Sequence, residues 1–452
     1  MSQRSLPPGI KILLIIVWLA ALIVFIQRVL IPSAKTITYG FMGYYTASWL
    51  FAHGQWTPEA YDDGRFNAQV ETLSDGKVGD IISYNPPAVA LILWPLAGLA
   101  PEKARWIWTL INGALLVLAG GIMFQAIARA LSACPERSRR MSKGARSRPM
   151  SGWLWLALSA LALAYAPLAE NFRFGQVYVF LLFLYAVGLW ALMKEQQAVA
   201  GLGLGLASVL KLSGLPIWLL LLTRRWPRFP WRLYLAAFVL FVLSIPLVTP
   251  AMYWAFLSRV PSELSNTPWL TLTVYQTTNS FFAHFFRFDA RFNPAPIADL
   301  PALADALTLL IVALTLSFTL WRSRLADLTL AFASATVLSV ILYPVAEQYH
   351  YTLLLLPLVV LAADIAAHGG SPRFILLWAL ATALLALPLP YRAAHLSTGW
   401  LSLLAYPRLY GGWLLWGLLM VRMKTRPDGQ GRVKNNFEPF DKVIPAKVAD
   451  AR

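Results

Sequence analysis

Apolar residues in this chain fall in long unbroken runs rather than at the period of a soluble amphipathic element. Residues 10–31 form the first, about 22 residues preceded by Arg4, long enough to cross a bilayer and without a small-residue cleavage pattern behind it. The pattern predicts an uncleaved first helix with a cytoplasmic N-terminus. Residues 32–84 are polar and carry Glu59, Asp62, Asp63, Glu71, Asp75 and Asp80, which predicts a large first exoplasmic loop. The run at 86–100 is only about 15 residues. Counting it as a span would put the Arg-rich stretch 130–150 outside, against the positive-inside rule, so it is expected to dip into or lie along the outer leaflet.

Further helices are predicted at 106–128, 153–168, 177–193, 234–249, 304–321, 328–342, 351–368, 374–388 and 412–421. The run 199–222 has Lys194 at one end and Arg224, Arg225, Arg228 and Arg232 at the other. One span cannot place both ends inside, so the segment Lys211 to Pro216 is read as a break between two short helices, with Lys211 at the apex in the outer leaflet. The expectation is an all-α polytopic membrane protein of about 12 transmembrane helices with both termini cytoplasmic. Residues 1–423 make one transmembrane domain. Within it lie the first exoplasmic loop, 32–84, a basic low-complexity cytoplasmic loop, 130–150, and a second exoplasmic loop, 251–302; residues 424–452 form a disordered cytoplasmic tail.

Composition narrows the function. Apolar residues are 58% and charged residues 13% of the chain, about half the charge of a soluble domain, which excludes a set of water-soluble domains. The net charge of +17 then records basic cytoplasmic loops rather than a nucleic-acid partner. Cys134 is the single cysteine, so no internal disulfide forms; no spaced Cys/His set offers a metal site, and no cofactor or nucleotide-binding loop is expected. No inverted repeat of the secondary-transporter kind is visible.

Ionisable residues beside apolar runs cost roughly 2.5–3.5 kcal/mol each at membrane depth and therefore draw attention. Loop charge alone threads four such places to one face: Asp80, Glu170, Lys211, and the pair Glu347 and His350, which are three residues apart. Together they suit sugar transfer from a lipid phosphate. A carboxylate takes the acceptor hydroxyl's proton, and cations and hydrogen-bond donors hold the departing phosphate. Each also has a plainer role. Asp80 caps a helix, Glu170 pairs with Arg173, Lys211 snorkels to headgroups, Glu347 and His350 satisfy one another, and Asp62 and Asp63 form a turn with Gly64.

In order along the chain stand Gly40-Phe-Met-Gly-Tyr-Tyr-Thr-Ala47, Tyr84-Asn-Pro-Pro87 with Trp94-Pro-Leu96, Gly175-Gln-Val-Tyr178, the glycine-spaced run Ala200 to Ala207 leading to Lys211, Tyr275-Gln-Thr-Thr-Asn279, and Tyr343-Pro through His350-Tyr351. In that order they resemble the polytopic GT-C glycosyltransferases, and within them family 87, whose characterised type is the polyprenyl-phosphate-mannose-dependent alpha-mannosyltransferases. The resemblance covers residues 39–357. It implies a GT-C-like bundle in the plasma membrane, a polyprenyl-phosphate-linked sugar donor used on the exoplasmic side, a lipid-linked or glycan acceptor, and inversion at the anomeric carbon. It also implies a general-base Asp immediately before the Phe-x-x-Tyr-Tyr segment, where this chain has Gly40.

Three accounts are open. Asp80 takes over as base, which is the preferred one; Glu347 or Glu170 does so; or transfer is lost and a silent glycolipid-binding homologue remains. His350 matches the last His of the family's turn, although Tyr343, Glu347 and Tyr349 depart from that motif. The resemblance assigns donor-phosphate contact to His350 and Lys211, with Arg173 and Gln176 beside them. Sugar and acceptor contacts fall to Tyr44, Tyr45, Tyr84, Asn85, Gln276 and Asn279. The competing class is a transporter or flippase of lipid-linked sugar, which would show polar residues on both halves of the membrane; here the inner half has few.

Overall fold

The computed structural model describes residues 7–132, 152–266 and 268–424. Residues 133–151 of the expected basic loop and 425–452 of the expected tail lie outside the described residues. Among the described residues the chain is helical throughout, with no strand and one isolated bridge between Asp289 and Asn293.

The helices are α1 Pro8–Phe25, α2 Ile31–Lys35, α3 Tyr39–Ala52, α4 Asp63–Leu73, α5 Pro101–Ser132, α6 Gly152–Leu163, α7 Ala166–Phe174, α8 Tyr178–Met193, α9 Gln197–Leu210, α10 Leu215–Thr223, α11 Trp231–Val248, α12 Pro250–Asn266, α13 Thr278–Phe286, α14 Pro301–Ser323, α15 Leu328–Ile341, α16 Leu355–His368, α17 Pro372–Ala386 and α18 Pro407–Lys424. A π-helical turn joins α1 to α2, and a 3-10 segment, Gln348–Leu354, leads into α16. Prolines in the first turn, where no amide donor is needed, start α1, α14 and α17. Side-chain caps do the same elsewhere: Asp327 accepts the amides of Thr329 and Leu330, and Thr277 accepts that of Ser280.

Among the described residues five stretches are long and apolar enough to cross a membrane: Pro8–Lys35, Pro101–Ile127, Trp231–Val248, Pro301–Ser323 and Gln348–His368. The pair α6 and α7, bent by 51°, raises the number to six. Other expected spans correspond to shorter apolar helices, α8, α9, α15 and α17, too short for that criterion. The run at 86–100 forms two 3-10 turns packed on α3, Pro87–Leu91 and Trp94–Leu96. Both polar stretches contain helices, α3 and α4 in the first and α12 and α13 in the second.

The Gln348–His368 segment is the axis of the bundle, 83% buried over its apolar window against 6% for the peripheral Pro8–Lys35. Two fully buried arginines fasten helix ends. Arg408 donates to the carbonyls of Leu384, Leu385 and Leu387 at the end of α17. Arg105 donates to the carbonyls of Phe172 at 2.7 Å and Arg173 at 2.8 Å at the end of α7. These are the carbonyls a helix C-terminus leaves without partners. The chain then turns at Gly175, whose φ of +63° and closeness to Arg105, 2.1 Å from an added Cβ to Nη1, exclude any side chain.

Candidate active site

At one end of the bundle four chain segments, together with Lys211 and Tyr275, converge on a polar cavity of about 160 Å³. The first is α3. Gly40 and Gly43 lie one turn apart on its cavity-facing side, with Tyr39 and Tyr44 beside them. The second, Asp80 to Asn85, follows α4. Asp80 is anchored by its own amide, which donates to Asn67 Oδ1 at 2.9 Å. Its carboxylate takes one amide on each oxygen, from Ile81 to Oδ1 at 2.8 Å and from Gly43 to Oδ2 at 3.0 Å.

The third is the Phe172–Gln176 turn, clamped from α5 by Arg105 and by Trp108 Nε1, which donates to the Gly175 carbonyl at 2.8 Å. That clamp sets Gln176 in the wall, where its Oε1 accepts from Tyr44 at 3.0 Å. The fourth is the Tyr343 to His350 segment before α16. Lys211 joins them from the break between α9 and α10, where the backbone becomes extended (φ −151°, ψ 127°).

The charges are few and close. Lys211 is 7% exposed, with Nζ 5.9 Å from the Tyr44 ring centroid and 5.8 Å from that of Tyr178. Asp80 and Glu347 both lie within its electrostatic reach. Burial is the largest effect on Asp80 and pushes its carboxyl up to about 8, against the lowering by the Ile81 and Gly43 amides and Lys211. Burial likewise raises Glu347, whose Oε1 accepts from Tyr349 at 2.9 Å.

The Glu347 amide donates to His350 Nδ1 at 3.1 Å. An accepting Nδ1 puts the proton of the neutral ring on Nε2, so His350 offers a donor. Asn85 Oδ1 is buried in the wall with no hydrogen-bond partner among the described residues. The set therefore combines a carboxylate able to take a proton, a cation, an imidazole donor and an orphan acceptor.

Of the residues singled out from sequence, the cavity brings together Asp80, Glu347, Lys211, His350, Gln176, Tyr44, Tyr84 and Asn85. The other five stand elsewhere. Glu170 and Arg173 form an ion pair at 2.9 Å, outside the cavity lining. The Tyr45 hydroxyl donates to the Leu99 carbonyl at 2.6 Å, away from the cavity. Gln276 is fully buried and spends its amide on the carbonyls of Thr273 and Ala405 and the amide of Arg408. Asn279 is in α13, outside the lining.

Sequence reasoning missed Tyr39, Gly43, Tyr275, Tyr343 and Tyr349 as lining residues. Their signal was the density of tyrosine in the same motifs; Tyr343 and Tyr349 had counted only as departures from a pattern. Gly40, in the slot where an acid was expected, has no room for one. A Cβ there lies 2.2 Å from Gln176 Nε2 and 2.7 Å from the Phe174 carbonyl oxygen.

An apolar cavity adjoins the polar one, and a second apolar cavity adjoins the first. The nearer, about 290 Å³, shares Tyr84, Tyr343 and Val345 with it and runs between Leu212, Leu215 and Leu219 on one side and Val312, Leu316 and Leu338 on the other. The farther, about 400 Å³, meets the nearer at Leu212 and Phe256. Leu212 and Leu215 are 51% and 61% exposed, so the nearer cavity opens toward the apolar outside of the bundle.

No curated protein matches the chain. The sequence model of glycosyltransferase family 87 matches residues 84–346, more than half of the chain, and that stretch includes cavity residues Tyr84, Asn85, Gln176, Lys211, Tyr275 and Tyr343.

Proposed function

The chain belongs to glycosyltransferase family 87, and from that membership we propose that it moves a hexose, mannose or a related sugar, from a polyprenyl phosphate to a hydroxyl of a lipid-linked or glycan acceptor on the exoplasmic face. The observation that carries this reading is the shared wall of Tyr84, Tyr343 and Val345 between the polar and the nearer apolar cavity. An amphiphile fits such a pair, with phosphate and sugar among Asp80, Lys211 and His350 and its hydrocarbon chain between Leu215 and Leu338.

In this reading Asp80 is the general base. It takes the proton of the acceptor hydroxyl as that oxygen attacks the anomeric carbon, the bond from that carbon to the phosphate oxygen breaks, and polyprenyl phosphate leaves with the electron pair. The attack comes from the face opposite the leaving group and inverts the centre. Lys211 and the Nε2–H of His350 hold the negative charge growing on the phosphate. Tyr39, Tyr44 and Tyr84 offer ring faces to the sugar, and Asn85 Oδ1 takes a sugar hydroxyl.

The test uses purified full-length protein in nanodiscs with labelled polyprenyl-phosphate-mannose or polyprenyl-phosphate-glucose and a bacterial lipid extract as acceptor. Labelled glycolipid that disappears with Asp80→Asn is the expected result. Donor binding without transfer or hydrolysis, across extracts that serve other transferases, contradicts the proposal and favours a silent binding protein or flippase.

A further inference from the structure

The end of the bundle remote from the catalytic cavity carries a second polar cleft. Gln176 precedes α8 and Lys211 follows α9, so the turn between these helices stands about 20–24 Å from the cavity at 1.5 Å per residue. The cleft, about 590 Å³, is lined by Glu195 from that turn, Gln197 at the start of α9, Arg228 and Phe229 from the approach to α11, and Trp231 and Arg232 in its first turn.

None of Glu195, Arg228 and Arg232 joins an ion pair among the described residues. Arg224, a few residues earlier, is by contrast spent on the carbonyls of Ser323 at 3.2 Å and Ala326 at 2.8 Å. Arg232 lies over the Trp231 ring at 5.4 Å. Glu195 is held in the left-handed region, φ 58°, uncommon for a side chain of its kind.

Beneath the cleft α9 and α11 touch backbone to backbone. A Cβ on Gly201 would lie 2.2 Å from the Leu233 carbonyl oxygen, so the helices cannot close further to fill the space. Beside it the surface is apolar and open: Phe229 and Trp231 are exposed at the rim, and Val199, Leu202 and Leu235 are exposed along the two helices.

We propose that this cleft binds the head group of a zwitterionic phospholipid with a primary ammonium, of the ethanolamine type. The two guanidinium groups meet the phosphate, each able to give paired N–H donors. The Glu195 carboxylate meets the ammonium, whose N–H groups a trimethylated choline head lacks. The acyl chains lie on Val199, Leu202 and Leu235, and the aromatic rim sits at the level of the glycerol. The site is separate from the catalytic cavity and stands independently of the transferase reading.

Native mass spectrometry of the full-length protein, delipidated and then titrated with phosphatidylethanolamine, phosphatidylcholine or phosphatidylglycerol, tests it. The wild type retains the ethanolamine lipid about tenfold more tightly than the choline lipid. Arg228→Gln with Arg232→Gln removes that retention, and Glu195→Gln brings the ethanolamine lipid down to the choline level while sparing phosphatidylglycerol. Unchanged thermal unfolding of the variants keeps the comparison one of binding. Equal retention of the three lipids, a preference for phosphatidylglycerol, or full retention in the doubly substituted protein overturns the proposal.

Discussion

The amide of Gly43 donates to Asp80 Oδ2 at 3.0 Å, which seats a carboxylate from the far end of the first polar segment on α3, one turn beyond Gly40. A Cβ on residue 43 would come within 2.6 Å of that same oxygen, so the glycine makes room for the acid. Residue 40 is closed to any side chain by Gln176 and the Phe174 carbonyl. The face of α3 that carries Gly40 and Gly43 receives an acid brought from 37 residues away.

If Asp80 removes the acceptor proton, Asp80→Asn keeps the size of the side chain and one acceptor oxygen, enough for the amide of Gly43 or of Ile81 but not both, and loses the base. Turnover of labelled sugar should fall by about 10²–10⁴-fold with donor affinity nearly unchanged. Asp80→Glu, one methylene longer in a filled wall, should recover part of the rate. A kcat within a fewfold of wild type for Asp80→Asn removes the assignment and moves attention to Glu347.

Gly40→Asp should not rescue Asp80→Asn, because an acid at position 40 collides with Gln176 Nε2 and the Phe174 carbonyl. The displaced Gln176 would also break its bond with the Tyr44 hydroxyl. Overpacking of this kind costs about 1–3 kcal/mol, so Gly40→Ala alone should lower the unfolding temperature in detergent. Transfer restored in the protein carrying both substitutions would show that α3 gives way.

How much of this was legible in the sequence differs from place to place. The break at Lys211 followed from charge at both ends of one apolar run, a rule that needs no structure, and the helix does end at Leu210 and resume at Leu215. Loop charge likewise assigned Asp80, Glu170, Lys211, Glu347 and His350 to one face, and the cavity gathers all of them except Glu170. What pattern could not reveal was local accounting of polar groups. Gln276 looks like a ligand in its motif, yet its amide is consumed by the backbone of its own turn at Thr273 and of the 405–408 stretch. Arg105, buried near the start of α5, gave no sign that it holds the turn carrying Gln176. The helices α3, α4, α12 and α13 were read as loops because their polar residues were counted as solvent-facing, whereas Phe66 and Val70 of α4 pack inward.

Burial holds the Asp80 carboxyl at about 8, and a base works only when ionised. In the free enzyme near pH 7 about a tenth of the molecules then carry the competent carboxylate. The kcat/KM should therefore rise with pH above 7 and fall again as Lys211, which burial pushes below the usual lysine range, loses the charge that meets the phosphate. A Glu347→Gln variant removes one of the two negative charges and should move the midpoint downward. A wild-type profile flat over this range, with chemistry limiting, contradicts a base of this acidity.

The nearer apolar cavity gives the donor's chain its own test. Leu338 and Leu342 come from the end of α15 and line that cavity without lining the polar one. Leu342→Trp fills part of its 290 Å³ with an indole, which leaves Asp80, Lys211 and His350 in place. If the hydrocarbon chain of the donor lies there, the variant should raise KM for a long polyprenyl-phosphate sugar by about tenfold or more, since each displaced methylene forfeits roughly 0.8 kcal/mol of burial. A water-soluble short-chain analogue, which never reaches the cavity, should be used by wild type and variant alike. Lys211→Met should instead weaken both donors equally, because it acts on the phosphate they share. Equal effects of Leu342→Trp on long and short donors would place the chain elsewhere, with the farther cavity beyond Leu212 and Phe256 the next to block.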